Sequence, residues 1–271
     1  RAHEQQGQQE QGGAEFVLVV RFVRGGDRGQ VGEHLFDAER LAQLVVGGVA
    51  AKGGWRGRDR GVCGTMKLVV MGVAAKLAGA LGAHGVGAGS KVAQLLYNCP
   101  EYLETVYALF KVRATPVNVN YRYLTDEIAY ILDNSDAEVL VFHGALGDRV
   151  TGLQDRLPLL KLLLQVDDGS PLVEGAQWFH EVVDAAAPAP RIERSGEDFL
   201  FLYTGGTTGM PKGVMWRHVD LFGALAFTGY VSMGLELPTT PEEVGRVAAE
   251  LNAAGKSPVN LCAPPLMHGT A

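Results

Sequence analysis

Between Val73 and Thr204 the sequence alternates short apolar runs with longer amphipathic ones, and this rhythm leaves few folds open. KVAQLLY, TPVNVNY, AEVLVFH, KLLLQVDD and FLFLYT read as strands. The segments between them carry helical spacing. EYLETVYALFKVRA sets Leu103, Val106, Leu109 and Phe110 on one side, and TDEIAYILDNSD reads as a helix that Thr125 can cap, with Asp126 and Glu127 near its positive end. ALGDRVTGLQDRL and WFHEVVDAA read as two further helices, and Val73, Leu77 and Leu81 mark another before HGVGAGS. Strands that are apolar throughout, separated by helices, imply a mostly parallel sheet covered on both faces. The expected class is α/β.

Punctuation along the chain suggests its organisation. Prolines and charges interrupt the periodic signal at Pro188–Asp198, which makes that connector the expected boundary between a first α/β lobe (67–190) and the start of a second (191–271). Beyond it, RHVDLFGALAFTGYV and PEEVGRVAAELNAAG read as helices and VNLCAP as one more strand. Residues 1–66 are rich in Gln, Gly, Arg and Val and form an irregular extension. Their composition fits either a disordered tail or a coding region read in the wrong frame. A chain that begins at Arg1 and stops at PPLMHGTA is expected to be a fragment.

Composition narrows the function. With 47% hydrophobic residues over 271 positions the chain can bury one large core or two modest ones. A formal net charge of −6 argues against general affinity for nucleic acid, which requires a clustered basic surface. Cys63, Cys99 and Cys262 show no paired spacing, so neither a disulfide framework nor a protein metal site is assigned. No apolar run approaches the ~20 residues that span a bilayer, and the start lacks the order of a secretion signal. A cytoplasmic protein without a transmembrane segment, acting on a small molecule, is expected.

The chemistry is concentrated in FLYTGGTTGMPKG, residues 201–213. A parallel strand ending in a glycine-rich turn before a helix would place backbone N–H groups and a helix N-terminus at the carboxyl edge of the sheet. Gly205, Gly206 and Gly209 would let an oxygen approach the backbone, Thr204, Thr207 and Thr208 would add hydroxyls, and Lys212 would add a mobile positive charge. Together they describe a phosphate cradle. The ATPase P-loop is excluded, because Met210 and Pro211 separate Gly209 from Lys212 and Gly213 stands where that motif needs Ser or Thr. GVGAGS at 85–90 precedes a strand instead of following one, so it reads as a helix-ending turn. His84 and His143 read as structural. His218, six residues past Lys212, either approaches a phosphate or begins a helix. Asn118, Asn120 and Tyr121 read as shaping a turn.

These residues resemble a known family. YTGGTTGMPKG resembles the phosphate-binding signature of the adenylate-forming (AMP-binding) enzymes, which include acyl-CoA synthetases, luciferases and the adenylation domains of peptide synthetases. Residues 85–142 are similar to the first lobe of acyl-CoA synthetases, and PPLMHGTA resembles the family segment that reaches the acyl pocket. The resemblance runs from about residue 73 to 271.

It implies a large N-terminal domain of layered, mostly parallel sheets, truncated here, and an ATP-dependent reaction. A carboxylate attacks the α-phosphate of Mg²⁺·ATP to give an acyl-adenylate, and coenzyme A then displaces AMP. Thr204, Gly205, Gly206, Thr207, Thr208, Gly209 and Lys212 would hold the β and γ phosphates, and His268 would line the acyl and pantetheine passage as the catalytic candidate. Many relatives carry serine where Gly205 stands, although the glycine form also occurs. The family's magnesium and ribose ligands, hinge and C-terminal lid domain would lie beyond residue 271, so an inactive fragment is expected. The implied substrate is a fatty or other hydrophobic carboxylic acid. An amino-acid or aryl-acid adenylating enzyme and a non-catalytic nucleotide-binding module are the alternatives.

Overall fold

A computed structural model describes residues 61–206, 209–256 and 265–268. The irregular extension therefore lies outside the described residues up to residue 60, as does the strand expected at 259–264. The chain divides into two units, Phe22–Gly223 with Cys262–Ala271, and Arg1–Arg21 with Ala224–Leu261.

The first unit is built on a seven-stranded sheet. Its elements run α1 (Gly61–Ala83), β1 (Lys91–Leu95), α2 (Pro100–Val112), β2 (Thr115–Asn118), α3 (Thr125–Asn134) and β3 (Ala137–His143). A 3₁₀ turn at Gly144–Leu146 leads to α4 (Gly147–Val150) and α5 (Leu153–Arg156), then β4 (Leu162–Val166), β5 (Ala176–Trp178), α6 (Phe179–Ala185), β6 (Phe199–Gly206) and β7 (Gly209–Arg217). Helix α7 (His218–Ser232) leaves this unit at Gly223. In the second unit, the rest of α7 is followed by α8 (Pro241–Ala253), which Thr240 caps by accepting from the Glu243 N–H.

The strand order is β5-β4-β3-β1-β2-β6-β7, every pair parallel except β6 with β7. The α/β class holds. β6 follows the Pro188–Asp198 connector and pairs with β2, Val117 opposite Phe201, so the sheet continues across the connector.

Two-residue periodicity divides the core. Val92, Leu96, Val139, Val141, Leu162 and Leu164 pack with α1, α2 and α6 on one face, whereas Ala93, Leu95, Leu140, Phe142 and Leu163 pack with α3, α4 and α5 on the other. Each fully buried large side chain of this kind contributes ~1.5–3 kcal/mol.

Local chemistry moves three boundaries from the sequence reading. Helix α3 is capped at Leu124 and not at Thr125, because the Glu127 carboxylate reaches back to accept from the Leu124 N–H at 2.9 Å. The continuous helix expected over 145–157 is broken into short turns, since Gly152 takes a φ of +76° that a helix cannot accommodate. β5 precedes α6 as a separate edge strand that the helical reading of WFHEVVDAA did not contain. Among the described residues no helix is long and apolar enough to cross a membrane.

Candidate functional site

The glycine-rich segment is the turn of an antiparallel hairpin. β6 and β7 pair in unbroken register from Phe199–Arg217 to Thr204–Lys212, and Gly206 closes the hairpin opposite Gly209. This corrects the strand–turn–helix reading. The next helix starts at His218, level with the beginning of β6, so its N-terminus lies at the far end of the hairpin from the glycines. Backbone amides up to Thr204 belong to a sheet ladder, and the helix contributes nothing to the turn.

What the turn does offer follows from one irregularity. Between the Thr204–Lys212 and Gly206–Gly209 pairs, β6 has one residue, Gly205, where β7 has two, Met210 and Pro211. Pro211 has no N–H to donate and its ring is buried. Gly205 is thereby left outside the register, with its backbone exposed. Directly paired residues in an antiparallel ladder point to the same face, so the exposed Thr204 hydroxyl and Lys212 ammonium stand side by side. Among the described residues Lys212 has no ion-pair partner. Gly209 adopts a φ of +155°, a conformation side chains disfavour. Gly213 has a different task, since a Cβ there would sit 2.9 Å from the Tyr203 ring, whose hydroxyl donates to Asn134 at 2.7 Å. Thr207 and Thr208 lie outside the described residues.

The turn projects from the carboxyl end of β6, beside the same ends of β2 and β1, where open parallel sheets collect ligands. Two asparagines there hold the 265–268 segment. Asn118, 5% exposed at the end of β2, accepts a short hydrogen bond from the Tyr203 N–H, while its amide donates to the Met267 carbonyl at 2.5 Å. Asn98, just after β1, accepts from the Leu266 N–H at 2.7 Å. Met267 is buried in the core, and His268 follows it on the surface, its N–H bonded to the Pro265 carbonyl. A single buried side chain therefore links the strand leading to Thr204 with the residue preceding His268. The sequence reading gave Asn118 a turn role and missed this. The available signal was an asparagine inside a short apolar strand, a place where an amide is buried only if it is fully bonded.

The other sequence candidates are structural. His218 packs its ring edge-on to Phe110 at 4.4 Å, and its buried Nε2 has no partner among the described residues. Burial pushes its pKa below the usual histidine value against the pull of Asp198, which favours the neutral ring. Its distance from the turn removes it from the phosphate candidates. His143 accepts from the Tyr97 N–H at 3.2 Å and packs on the Tyr97 ring. Among the described residues no three His, Cys, Asp or Glu side chains gather as a metal site.

Comparison with known proteins decides the family. A profile described as AMP-binding enzyme matches residues 73–270. The chain belongs to the AMP-binding enzyme family. It is 36% identical over 212 residues to the medium-chain acyl-CoA ligase Mig of Mycobacterium avium, covering 72% of this chain and 38% of the relative. It is 37% identical over 200 residues to the 3-oxocholest-4-en-26-oate–CoA ligase of Rhodococcus rhodochrous, covering 72% and 35%. Among solved structures it resembles the anthranilate CoA ligase AuaEII in complex with anthranoyl-AMP, with a TM-score of 0.54 and 26% identity over 59% of this chain and 30% of that one. The chain spans little more than a third of the length of these curated relatives.

Proposed function

We propose that this AMP-binding chain is the phosphate-binding part of an ATP-dependent acyl-CoA synthetase acting on a fatty or other hydrophobic carboxylic acid. The observation that carries the reading is the hairpin turn at the carboxyl edge of the sheet. There Lys212 and Thr204 share a face, Gly205 is free of the ladder, and the His268 segment is tied to the same strand end through Asn118.

In this reading the turn holds the β and γ phosphates. Lys212 neutralises charge as pyrophosphate departs, while the hydroxyls of Thr204, Thr207 and Thr208 and the glycine backbone at 205, 206 and 209 donate to phosphate oxygens. Such aimed donors are worth most where charge develops in the transition state. Magnesium arrives with the ATP phosphates, to which it supplies charge neutralisation. His268 is exposed at the surface of its turn, and this reading assigns it to the acyl and pantetheine side. Coenzyme A is the acceptor of the acyl group. The substrate class follows from relatives named for medium-chain and cholestenoate ligation.

The test is ATP–pyrophosphate exchange with a panel of fatty acids, run beside thermal melting with ATP. A melting shift with ATP is the expected outcome for this part of the enzyme. Acid-dependent exchange would show in addition that the part completes the adenylation step. Absence of both would overturn the reading.

A further inference from the structure

Gly205 brings no hydroxyl of its own to the turn, and the structure brings one from elsewhere to its side. A Cβ built on Gly205 would have one side-chain neighbour within 4 Å among the described residues, the Tyr123 hydroxyl at 3.3 Å. We propose that Tyr123 is a phosphate-binding residue whose hydroxyl supplies a donor beside Gly205, on the face of the hairpin opposite Thr204 and Lys212. The proposal rests on the phosphate-binding reading of the turn and adds to it a residue 82 positions upstream in the sequence.

Tyr123 is placed for this by its own scaffold. It ends the turn that follows β2, where its N–H donates to the Asn120 carbonyl at 2.9 Å and the Asn120 side chain accepts from the Arg122 N–H at 2.9 Å. The Arg149 guanidinium clamps the turn from α4, donating to the carbonyls of Tyr121 at 2.6 Å and Tyr123 at 3.0 Å. The ring is half-buried against the core on the α3 face. A planar ring held in this way carries its oxygen to a defined point with little freedom left to lose on binding. The hydroxyl has no hydrogen-bond partner among the described residues. Burial, with the nearby Glu127, raises its pKa above the ordinary tyrosine value, so the proton needed for donation is retained.

Gly205 fits the same account. Its φ is not in the left-handed region, so the backbone alone does not demand glycine there. What favours it is space. A side chain would crowd the Tyr123 oxygen, since 3.3 Å is tighter than ordinary contact for a Cβ. Tyr123 and Gly205 therefore act as a matched pair, one supplying the hydroxyl and the other the room for it.

The experiment measures binding of ATP, inorganic pyrophosphate and AMP by calorimetry to the full chain, to Tyr123→Phe, and to Tyr123→Phe combined with Gly205→Ser. Phenylalanine keeps the ring and its packing. The expected result is an affinity for ATP and pyrophosphate about tenfold lower in Tyr123→Phe, the scale of one hydrogen bond to a charged acceptor, with AMP binding unchanged. Gly205→Ser added to Tyr123→Phe should restore most of the loss, because a hydroxyl then returns to the same place. Equal pyrophosphate affinity in Tyr123→Phe and the unmodified chain would overturn the assignment, and so would a parallel loss for AMP, the mark of a merely structural role. If the unmodified chain bound neither ATP nor pyrophosphate, the phosphate reading of the turn would fall, and this inference with it.

Discussion

The two ends of the β6–β7 hairpin are made of the same strands and have opposite electrostatic characters. At the amino end of β6 two arginines are paired with carboxylates. Arg113, held at φ 62° by the end of α2, forms a two-pronged contact with Asp198 at 3.0–3.2 Å, and Arg217 bridges Glu197 and Asp220 at 2.7–3.3 Å. The Asp198 carbonyl accepts the His218 N–H that begins α7. At the carboxyl end, Lys212 stands unpaired among the described residues beside an exposed threonine and an unladdered glycine. Cations at the first end are consumed in holding the fold. At the second they remain available to a polyanion, and only that end has the asymmetry expected of a binding site.

The largest effect should come from the residue that joins the polar end to the core. Asn118→Ala leaves the Tyr203 N–H and the Met267 carbonyl without partners in a buried place, a loss of about 2–4 kcal/mol in denaturant unfolding. Asn118→Asp sharpens the point. It keeps an acceptor for the Tyr203 N–H but turns an oxygen toward the Met267 carbonyl, so it should loosen the 265–268 segment, seen as faster proteolysis there, more than it disturbs β6.

At the paired end, Asp198→Ala should cost about 1–3 kcal/mol of stability, since Asp198 is 12% exposed and accepts from Arg113 and the Ser195 N–H, yet leave phosphate affinity untouched. The pH dependence has a definite sign. Hydrogen bonding to Arg113 holds the Asp198 carboxyl below its ordinary value, so its contribution is present above the unfolded carboxylate pKa and is lost as pH falls through the folded one. Urea midpoints measured from pH 6 downward should therefore fall less steeply in Asp198→Asn than in the unmodified chain.

Lys212→Ala makes the converse case. Its side chain is exposed and makes no ion pair among the described residues, so the melting temperature should stay within about 1 °C, while affinity for pyrophosphate should drop about tenfold. Unchanged affinity would erase the contrast between the hairpin's two ends.

How much of this was legible in the sequence depended on the range of the interaction concerned. β1, β3 and β4 were readable because each is a run of five to seven residues buried almost without interruption, so both faces are apolar. The glycine-rich segment was readable as a turn, since Gly205, Gly206 and Gly209 interrupt any periodic structure. Its partner was not. Whether a strand after a turn folds back antiparallel or gives way to a helix depends on the ladder that MPKGVMWR can form with FLFLYT, and that run has weak alternation. The roles of Asn118 and Tyr123 were hidden for a plainer reason. Each acts on a residue more than 80 positions away, and no local pattern carries that information. His218 looked near the turn because six residues is a short sequence distance, but along an extended strand it is a long spatial one.

That last point yields the smallest effect. Five ladder steps separate the level of Thr204 from that of Phe199, opposite Arg217, which at about 3.3 Å per residue puts His218 roughly 17 Å or more from the turn. The screening length at physiological ionic strength is about 8 Å, so even a charged imidazole there would be felt weakly, and burial favours the neutral form of this one. His218→Gln should thus leave pyrophosphate affinity within about twofold while lowering stability through the lost packing on Phe110. A larger change in affinity could not arise through space over that distance. It would mean that the ladder transmits strain from one end to the other, so that the paired charges at the amino end help set the shape of the turn.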